Sequence, residues 1–265
     1  MFARESSTFP LTANRLPISH KKGAVIESQF ESERKEITKL KGVIPSEEAV
    51  FALASGSPRR KELMKLAGLD FRIIPANIDE SPNENESPKE YVLRMASEKA
   101  KSIEAQANGI DWIIAADTTV ADGDKILGKP TDEKEARAML NALKGKEHQV
   151  YTAIAVLHTR DGELMTDLAT TDVPMRNYSN EEIDVYVKSG DPMDKAGSYA
   201  IQHPEFRPVE KLDGCYANVV GLPLCHLTRT LKKFGIPVEK DIPQACQQSL
   251  AYDCPVYESV LEGRL

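Results

Sequence analysis

The sequence predicts an α/β fold, of the mixed-sheet α+β kind with helices packed outside, and three patterns favour it. From Val50 onward, short apolar runs alternate with amphipathic stretches, as in strand–helix–strand units. Residues 110–116 form a nearly continuous apolar run, which is typical of a strand buried on both faces. Residues 149–157 and 163–175 flank Asp161-Gly162, a pair typical of the turn between antiparallel strands. Parallel and antiparallel strands are therefore expected in one twisted sheet.

Local start and stop signals set the boundaries of the elements. Ser55-Gly56-Ser57-Pro58 predicts a tight turn into a helix that Gly68 ends, Ser87 and Ser179 begin capping boxes, and Gly235 ends the last helix. The expected elements are, in chain order, strands at 50–54 and 71–74, a helix from 87 to about 106, a strand at 110–116 that stops at residue 117, a helix at 132–143, strands at 149–157 and 163–175, and helices at 179–190 and 222–234.

The composition bounds the number of domains. The chain has 265 residues, of which 41% are hydrophobic and 28% charged, enough for one or at most two cores. Residues 1–45 mix Ser, Thr, Pro and charges without a sustained period, so we interpret them as a mobile N-terminal extension. Residues 46–236 are the expected folded domain, and residues 237–265 are a C-terminal extension that is either docked or loose.

Charge and hydropathy disfavour several classes of protein. A net charge of -7 would repel nucleic acid and acidic membrane surfaces, so neither is an expected partner. No stretch approaches the roughly 18 apolar residues of a membrane span, and the first residues carry no secretory apolar segment, so we expect a cytoplasmic protein. The four cysteines all lie in the last fifth of the chain, without zinc-site spacing, and are expected to be free thiols.

The turn at residues 55–60 is the first candidate binding site. Arg59 and Arg60 stand in the first turn of a predicted helix, where acidic residues are normally preferred. A phosphate held by the backbone N–H groups of the turn would supply the missing negative charge. The alternative is that both arginines point to solvent. Neither GxxxxGK[ST] nor GxGxxG occurs, so this is not a known phosphate loop.

Other charged and polar residues are weaker candidates. Asp117 follows the buried strand, where α/β sheets place their ligands, although Asp also caps strands for structural reasons. Lys129 precedes a proline and is held extended. Lys195 and Gln202 lie at the edge of an expected short strand, where the Gln202 amide would both donate to and accept from a base edge; a solvated loop is the alternative.

Six segments, in order, resemble the Maf family of nucleoside triphosphate pyrophosphatases, which shares an architecture with inosine triphosphate pyrophosphatases. They are LASGSPRRKELM (53–64), ADTTV (116–120), GKPTDEKEA (128–136), HQVYTAIAV (148–156), DKAGSYAIQ (194–202) and NVVGLPL (218–224). The resemblance covers about residues 49–234. It implies hydrolysis of a nucleoside triphosphate between the α and β phosphates, Mg²⁺ or Mn²⁺ as the cofactor, an active-site cleft and a homodimer.

The resemblance also implies roles for individual residues. Asp117 is the expected proton acceptor that activates water, and Glu80 with Asp117 is expected to hold the metal. By position and charge, Lys99 and Lys129 are the expected catalytic cations. The expected substrate-binding residues are Ser55, Ser57, Arg59, Arg60, Thr118, Lys195 and Gln202.

Three of these residues bear on the choice of nucleotide. Arg59, Thr118 and Gln202 resemble the branch of the family that acts on dTTP and UTP, whereas the 7-methyl-GTP branch typically has Trp at the position of Arg59. Residues 203–208 depart from the glycine-rich continuation of the family, so the substrate-covering loop is expected to differ in shape or rate of closure. The alternatives are a pyrophosphatase for modified purine nucleotides such as 7-methyl-GTP, or a regulator of cell division that binds nucleotides without catalysis.

Overall fold

Six strands form one mixed sheet in the computed structural model, which describes residues 49–265. The strands are β1 (Phe51–Leu53), β2 (Phe71–Ile73), β3 (Trp112–Asp122), β4 (Lys125–Leu127), β5 (Glu147–His158) and β6 (Leu164–Pro174). Their order is β2-β1-β3-β5-β6, with β4 paired to β3. β1 runs parallel to β2 and β3, and the other pairs are antiparallel. The predicted mixed sheet is confirmed.

Helices cover both faces of this sheet. They are α1 (Pro58–Leu66), α2 (Pro88–Ser102), α3 (Glu133–Leu143), α4 (Asn180–Lys188), α5 (Tyr216–Val220), α6 (Leu224–Lys233), α7 (Ile242–Leu250) and α8 (Tyr257–Leu261). Short 3-10 turns occur at Glu104–Gln106, Asp191–Asp194 and Ala196–Ser198. The predicted capping boxes at Ser87 and Ser179 are present, with each side chain bonded to the third helical N–H. None of the described helices is long and apolar enough to span a membrane.

Strand β3 is buried on both faces, as its apolar run predicts. Ile113 and Ala115 pack towards α2, whereas Ile114 and Ala116 pack towards α1, α5 and α6. Besides the two hydrophobic clusters on these faces, a third hydrophobic cluster lies beside the C-terminal part of β3 and includes residues of α3 and α4. This alternation means that successive residues of β3 deliver their side chains to different layers.

Three local predictions are wrong. The helix that Gly235 follows is not the last one, because α7 and α8 come after it. The strand does not stop at Asp117, because the backbone pairing of β3 with β5 continues through Asp117 opposite Ala153 and beyond. Ladder pairing depends on backbone groups, so polar side chains do not end it. The short strand expected near Gln202 is absent; Ile201 and Gln202 form a turn there.

The C-terminal segment is docked. Ile242 of α7 and Val260 of α8 are buried in the same cluster as Trp112 of the central strand. Arg229 of α6 donates to the backbone oxygen of Val260 at 2.9 Å and forms a mostly buried ion pair with Asp167 at 2.7 Å. The mobile segment expected at residues 1–45 lies outside the described residues.

Candidate active site

A cavity of about 580 Å³ opens beside β1 and the middle of β3, and every site residue expected from the sequence lines it. Such a volume suits a small organic ligand. Five cationic side chains line the cavity, from Arg59, Arg60, Lys99, Lys129 and Lys195. Three acidic side chains line it, from Glu80, Asp117 and Asp194. The surplus of two positive charges stands out in a chain whose net charge is -7. The cavity therefore favours an anion.

An ammonium group joins two carboxylates at the floor of the cavity. Lys99 Nζ, from the last turns of α2, lies 2.5 Å from Asp117 Oδ1 and 2.8 Å from Glu80 Oε1. The Lys99 and Asp117 side chains are 8% and 7% exposed, whereas Glu80 is 46% exposed. Burial alone would raise the pKa of Glu80, but the hydrogen bond and charge of Lys99, helped by Lys129 and Arg60, hold that pKa below its usual value.

Helix α2 also fixes the loop that carries Glu80. The Tyr91 hydroxyl donates to the backbone oxygen of Glu80 at 2.8 Å. Arg94 pairs with Glu86 at 2.6 Å and donates to the backbone oxygen of Ser81 at 3.0 Å. Burial, together with the charges of Asp117 and Glu80, raises the pKa of Tyr91, so this phenol stays protonated and remains a donor. Sequence reasoning missed Tyr91 and Arg94, which act on the site only through the backbone.

The Glu80 and Asp117 carboxylates fit a divalent metal ion. Both contact the Lys99 ammonium group, so the two carboxylates lie close together beside the cavity. Mg²⁺ in nucleotide sites is commonly held by one or two carboxylates and completed by substrate phosphates and water. Within residues 49–265 no group of three or more His, Cys, Asp or Glu side chains is arranged to hold a metal ion.

Two N–H groups in and just after the turn before α1 are already hydrogen-bonded to serine side chains of that turn. The Ser57 N–H donates to Ser55 Oγ at 3.3 Å, and the Arg60 N–H donates to Ser57 Oγ at 3.4 Å. Pro58 has no N–H, so the backbone cradle expected here has fewer donors than the sequence pattern suggested. Recognition of a phosphate at this end of the cavity falls more heavily on side chains.

The Arg60 guanidinium spans the cavity wall and begins a chain of hydrogen bonds. Its Nε donates to the Gly221 backbone oxygen at 2.8 Å, and its Nη2 donates to Thr118 Oγ1 at 3.0 Å. Thr152 Oγ1 donates its only proton to the Asn218 backbone oxygen at 2.9 Å. The contact of 2.9 Å between the Thr118 and Thr152 hydroxyls must therefore have Thr118 as the donor.

This series of hydrogen bonds changes the role expected for Thr118. The Thr118 hydroxyl donates its proton to Thr152 and accepts a hydrogen bond from Arg60 on one lone pair. Towards a ligand it can therefore accept a hydrogen bond but cannot donate one. Burial lowers the pKa of Arg60, while Asp117 and Glu80 act in the opposite direction. Thr152, Asn218 and Gly221 were not among the expected site residues, although all three lie in the segments HQVYTAIAV and NVVGLPL.

Two glycines allow close approaches around the site. Gly221 has a φ of +115°, and a Cβ there would lie 3.2 Å from Thr118 Oγ1. Gly197 has a φ of +67°, and a Cβ there would come within 2.9 Å of the Val120 side chain. Both conformations are strained for residues with a side chain. Gly197 lets the loop with Lys195 lie against β3, and Gly221 lets the end of α5 meet Arg60.

The ammonium group of Lys195 already forms ion pairs with two aspartates. It is buried and donates to Asp194 Oδ1 at 2.7 Å, to Asp191 Oδ1 at 3.1 Å and to the Asp191 backbone oxygen. Lys129 is exposed and lies within electrostatic reach of Glu80, and Gln202 is exposed on the turn at the cavity rim. Lys129 and Gln202 are thus placed to meet an incoming ligand directly.

Residues 203–208, which depart from the family pattern, pack against α4. Phe206 stacks on Tyr186 with ring centroids 4.2 Å apart, and His203 meets the same ring edge-on at 4.7 Å. The Tyr186 hydroxyl donates to Asp191 Oδ2 at 2.7 Å and accepts from the Ala200 N–H at 3.0 Å. This segment therefore helps to fix the loop that carries Lys195 and Gln202.

Comparison with known proteins agrees with this arrangement. The family model described as Maf-like protein matches residues 50–234. The chain belongs to the Maf-like family. The match covers all the residues that line the cavity and ends before α7.

Three relatives of this Maf-like chain are named dTTP/UTP pyrophosphatase. The protein from Thermomicrobium roseum is 43% identical over 219 residues, covering 81% of this chain and 97% of its own length. The protein from Acetivibrio thermocellus is 45% identical and covers 72% of this chain and 98% of its own length. The protein from Bacillus cereus is 45% identical, covering 70% and 96%. The solved Ham1 protein of Staphylococcus aureus, at 15% identity, gives a TM-score of 0.35 over 48% of this chain and 72% of its own.

Proposed function

We propose that this Maf-like protein hydrolyses dTTP and UTP to the nucleoside monophosphate and pyrophosphate. The observation that carries the proposal is the cavity itself, in which five cations surround a carboxylate pair on a chain that is acidic overall. The names of the relatives, which match over most of this chain, supply the substrate class. Nucleotide-pool cleaning is the corresponding biological role.

Asp117 is the proposed general base. Its Oδ1 accepts from Lys99, which stabilises the charged carboxylate, and among residues 49–265 no group donates a hydrogen bond to its Oδ2. We assign Oδ2 the proton of the attacking water. The water oxygen then bonds to the α phosphorus, the bond from that phosphorus to the bridging oxygen breaks, and pyrophosphate leaves with the electron pair.

The cationic side chains that line the cavity are proposed to bind the phosphates of the substrate. Lys99 and Lys129 stabilise the charge that develops on the transferred group and on the leaving pyrophosphate, because preorganised charges act strongly where water is excluded. Arg60 lies close to the turn formed by Ser55 and Ser57, where a phosphate is expected to bind. Lys195 must exchange at least one of its two acidic partners before it contacts a phosphate.

A divalent cation, Mg²⁺ or Mn²⁺, is proposed at Glu80 and Asp117. Such an ion neutralises phosphate charge and polarises the α phosphate when it is bound. Lys99 holds the pKa of Glu80 below its usual value, which favours the charged carboxylate that a metal requires. Addition of a chelator is therefore expected to abolish turnover, and restoring the metal is expected to recover it.

The pyrimidine preference is assigned to the rim of the cavity. The Gln202 amide both donates and accepts, which suits the alternating acceptor, donor, acceptor edge of uracil and thymine. Because Thr118 offers only an acceptor, it suits the ring N–H of that edge and not a carbonyl. Arg59 occupies the position where the resemblance places Trp in the 7-methyl-GTP branch.

A substrate panel tests this assignment. With Mg²⁺ or Mn²⁺, pyrophosphate release from dTTP and UTP is expected to exceed release from dCTP, ITP and 7-methyl-GTP. An order-of-magnitude preference for 7-methyl-GTP or ITP would make the protein a pyrophosphatase for modified purines instead. Binding of dTTP without any turnover would indicate the nucleotide-binding regulator. The homodimer, the cytoplasmic location and the lack of a nucleic-acid partner stay predictions.

The position of water attack has a separate test. Hydrolysis in ¹⁸O-labelled water is expected to place the label in the monophosphate, since the water oxygen bonds to the α phosphorus. Label in pyrophosphate would mean attack at the β phosphorus and would overturn the mechanism, even if the substrate assignment is correct.

A further inference from the structure

All four cysteines of the chain meet at one place, where the C-terminal segment docks onto the Maf-like domain. Cys215 and Cys225 come from the domain, and Cys246 and Cys254 come from the segment that follows it. The four side chains line one small cavity together with apolar and tyrosine side chains. The family match ends at residue 234, so two of the four thiols lie beyond it.

One pair of thiols in this cavity is electrostatically linked. The interaction between Cys215 and Cys254 shifts the pKa of both side chains, and neither forms a disulfide in this structure. The Tyr252 hydroxyl donates to the Gly214 backbone oxygen at 2.9 Å and accepts from the Gly214 N–H at 3.3 Å. The Cys254 N–H donates to Gln247 Oε1 at 2.8 Å. These bonds hold the backbone on both sides of the pair.

The two sulfurs are not equivalent. The interaction with Cys254, together with burial, raises the pKa of Cys215. The same interaction, in which Cys215 acts as the donor, lowers the pKa of Cys254, and the N–H groups of Val256 and Tyr257 lower it further against the effect of burial. Cys254 is also partly exposed, whereas Cys215 is buried. A solvent-borne oxidant therefore meets the more acidic thiol first.

We propose that Cys215 and Cys254 are a peroxide-reactive thiol pair whose disulfide fastens the C-terminal segment to the Maf-like domain. Thiol chemistry is favoured over zinc because, in the part of the chain that the structure describes, no three of these cysteines are arranged to hold a metal ion. Both thiols line one small cavity, so joining their sulfurs needs only local movement.

Hydrogen peroxide is the proposed oxidant. The Cys254 thiolate attacks one peroxide oxygen, the O–O bond breaks, and hydroxide leaves and takes up a proton to give water. The resulting sulfenic acid is attacked by the Cys215 sulfur, which has lost its proton, and a second water departs. Two thiols are oxidised to one disulfide, and one peroxide is reduced to two waters.

The crosslink ties the C-terminal segment to α5, which the active site also uses. Cys215 immediately precedes α5, whose Val219 and Val220 line the substrate cavity. At the other end of α5, the Gly221 oxygen receives Arg60. A disulfide closes a long loop between Cys215 and the segment after α7, and closing such a loop disfavours the unfolded chain. Oxidation is therefore expected to raise Tm by several degrees.

Peptide mapping of the full chain tests the pairing. Trypsin leaves Cys215 with Cys225 on one peptide and Cys246 with Cys254 on another, so it does not distinguish the pairs. Chymotrypsin cuts after Tyr216 and Tyr252 and separates them. After one molar equivalent of peroxide, we expect two thiols lost per monomer and a Cys215–Cys254 linked peptide. A link between any other pair, a link between chains or unchanged thiol content would overturn the proposal.

Serine variants provide the controls. Cys254→Ser is expected to abolish the crosslink and the peroxide-induced rise in Tm, and Cys225→Ser, which removes a buried neighbour in the same cavity, is expected to leave both intact. Cys215→Ser gives a second readout, because alkylation of Cys254 by iodoacetamide should then require a higher pH than in the parent. An unchanged alkylation profile would contradict the assignment of Cys215 as the donor.

Discussion

The ammonium group of Lys99 should stabilise the fold as well as take part in catalysis, and Lys99→Met tests this. The substitution leaves Asp117 and Glu80 facing each other without their common cation. Removing one partner of a buried ion pair costs about 3–5 kcal/mol in unfolding free energy. Because Glu80 is 46% exposed and partly screened, we expect the lower end, about 3 kcal/mol.

A matched control is available on α1. Lys65 pairs with Glu62 at 2.8 Å, but these side chains are 52% and 67% exposed. Lys65→Met removes the same chemical groups from an ion pair of similar length, and because that pair is exposed to solvent the substitution should change the free energy of unfolding little. Urea unfolding, followed by the fluorescence of the single and buried Trp112, measures both variants with one probe.

The stability difference should also depend on pH. The pKa of Glu80 is held below 4.5 in the folded protein, so the stabilisation from Lys99 is present above pH 4.5 and is lost as the pH falls through the folded value. The difference between parent and Lys99→Met should therefore shrink in acid. Equal losses for the two lysine variants, or a Lys99→Met loss that does not change with pH, would refute this reasoning.

Two further substitutions probe the surroundings of the active site, and a third probes the docking of the C-terminal segment. Thr118→Val removes the acceptor of Arg60 Nη2 and should cost about 1–3 kcal/mol in urea unfolding and raise KM for dTTP, whereas Thr118→Ser should retain both values. Gly221→Ala should lose about 1–3 kcal/mol in the same assay, because φ is +115° and the new Cβ meets Thr118; parent-like stability would contradict this. Asp167→Asn weakens the ion pair with Arg229 and should lower the free energy of unfolding by about 3 kcal/mol. It should also make the C-terminal segment more sensitive to limited proteolysis. An unchanged digestion pattern would contradict this role of the ion pair.

The fold was largely predictable because its signals are local. The apolar run before Asp117, the capping serines and the Asp161-Gly162 turn each act within a few residues of the chain. The end of β3 was not predictable in this way, because pairing with β5 is a long-range property of the backbone. The same holds for the docking of α7 and α8, which depends on apolar contacts with distant parts of the sheet.

The candidate site was predictable in its residues but not in their connections. The resemblance placed the expected side chains in one cavity, and the structure brings them together. It could not indicate that Lys195 is held by two aspartates, or that the Thr118 proton is taken by Thr152. Such contacts depend on how the side chains of residues far apart in the chain are oriented. The spacing of residues in the sequence does not encode that orientation.

Asp117→Asn gives the most direct measurement of the central claim. Asparagine keeps the shape of the side chain but removes the proton acceptor, while Lys99 retains Glu80 as a partner. Pyrophosphate release from dTTP is expected to fall by at least about 100-fold, the usual contribution of a general base, while urea unfolding still shows a cooperative transition. Turnover within a few-fold of the parent would contradict the account of Asp117 as the base.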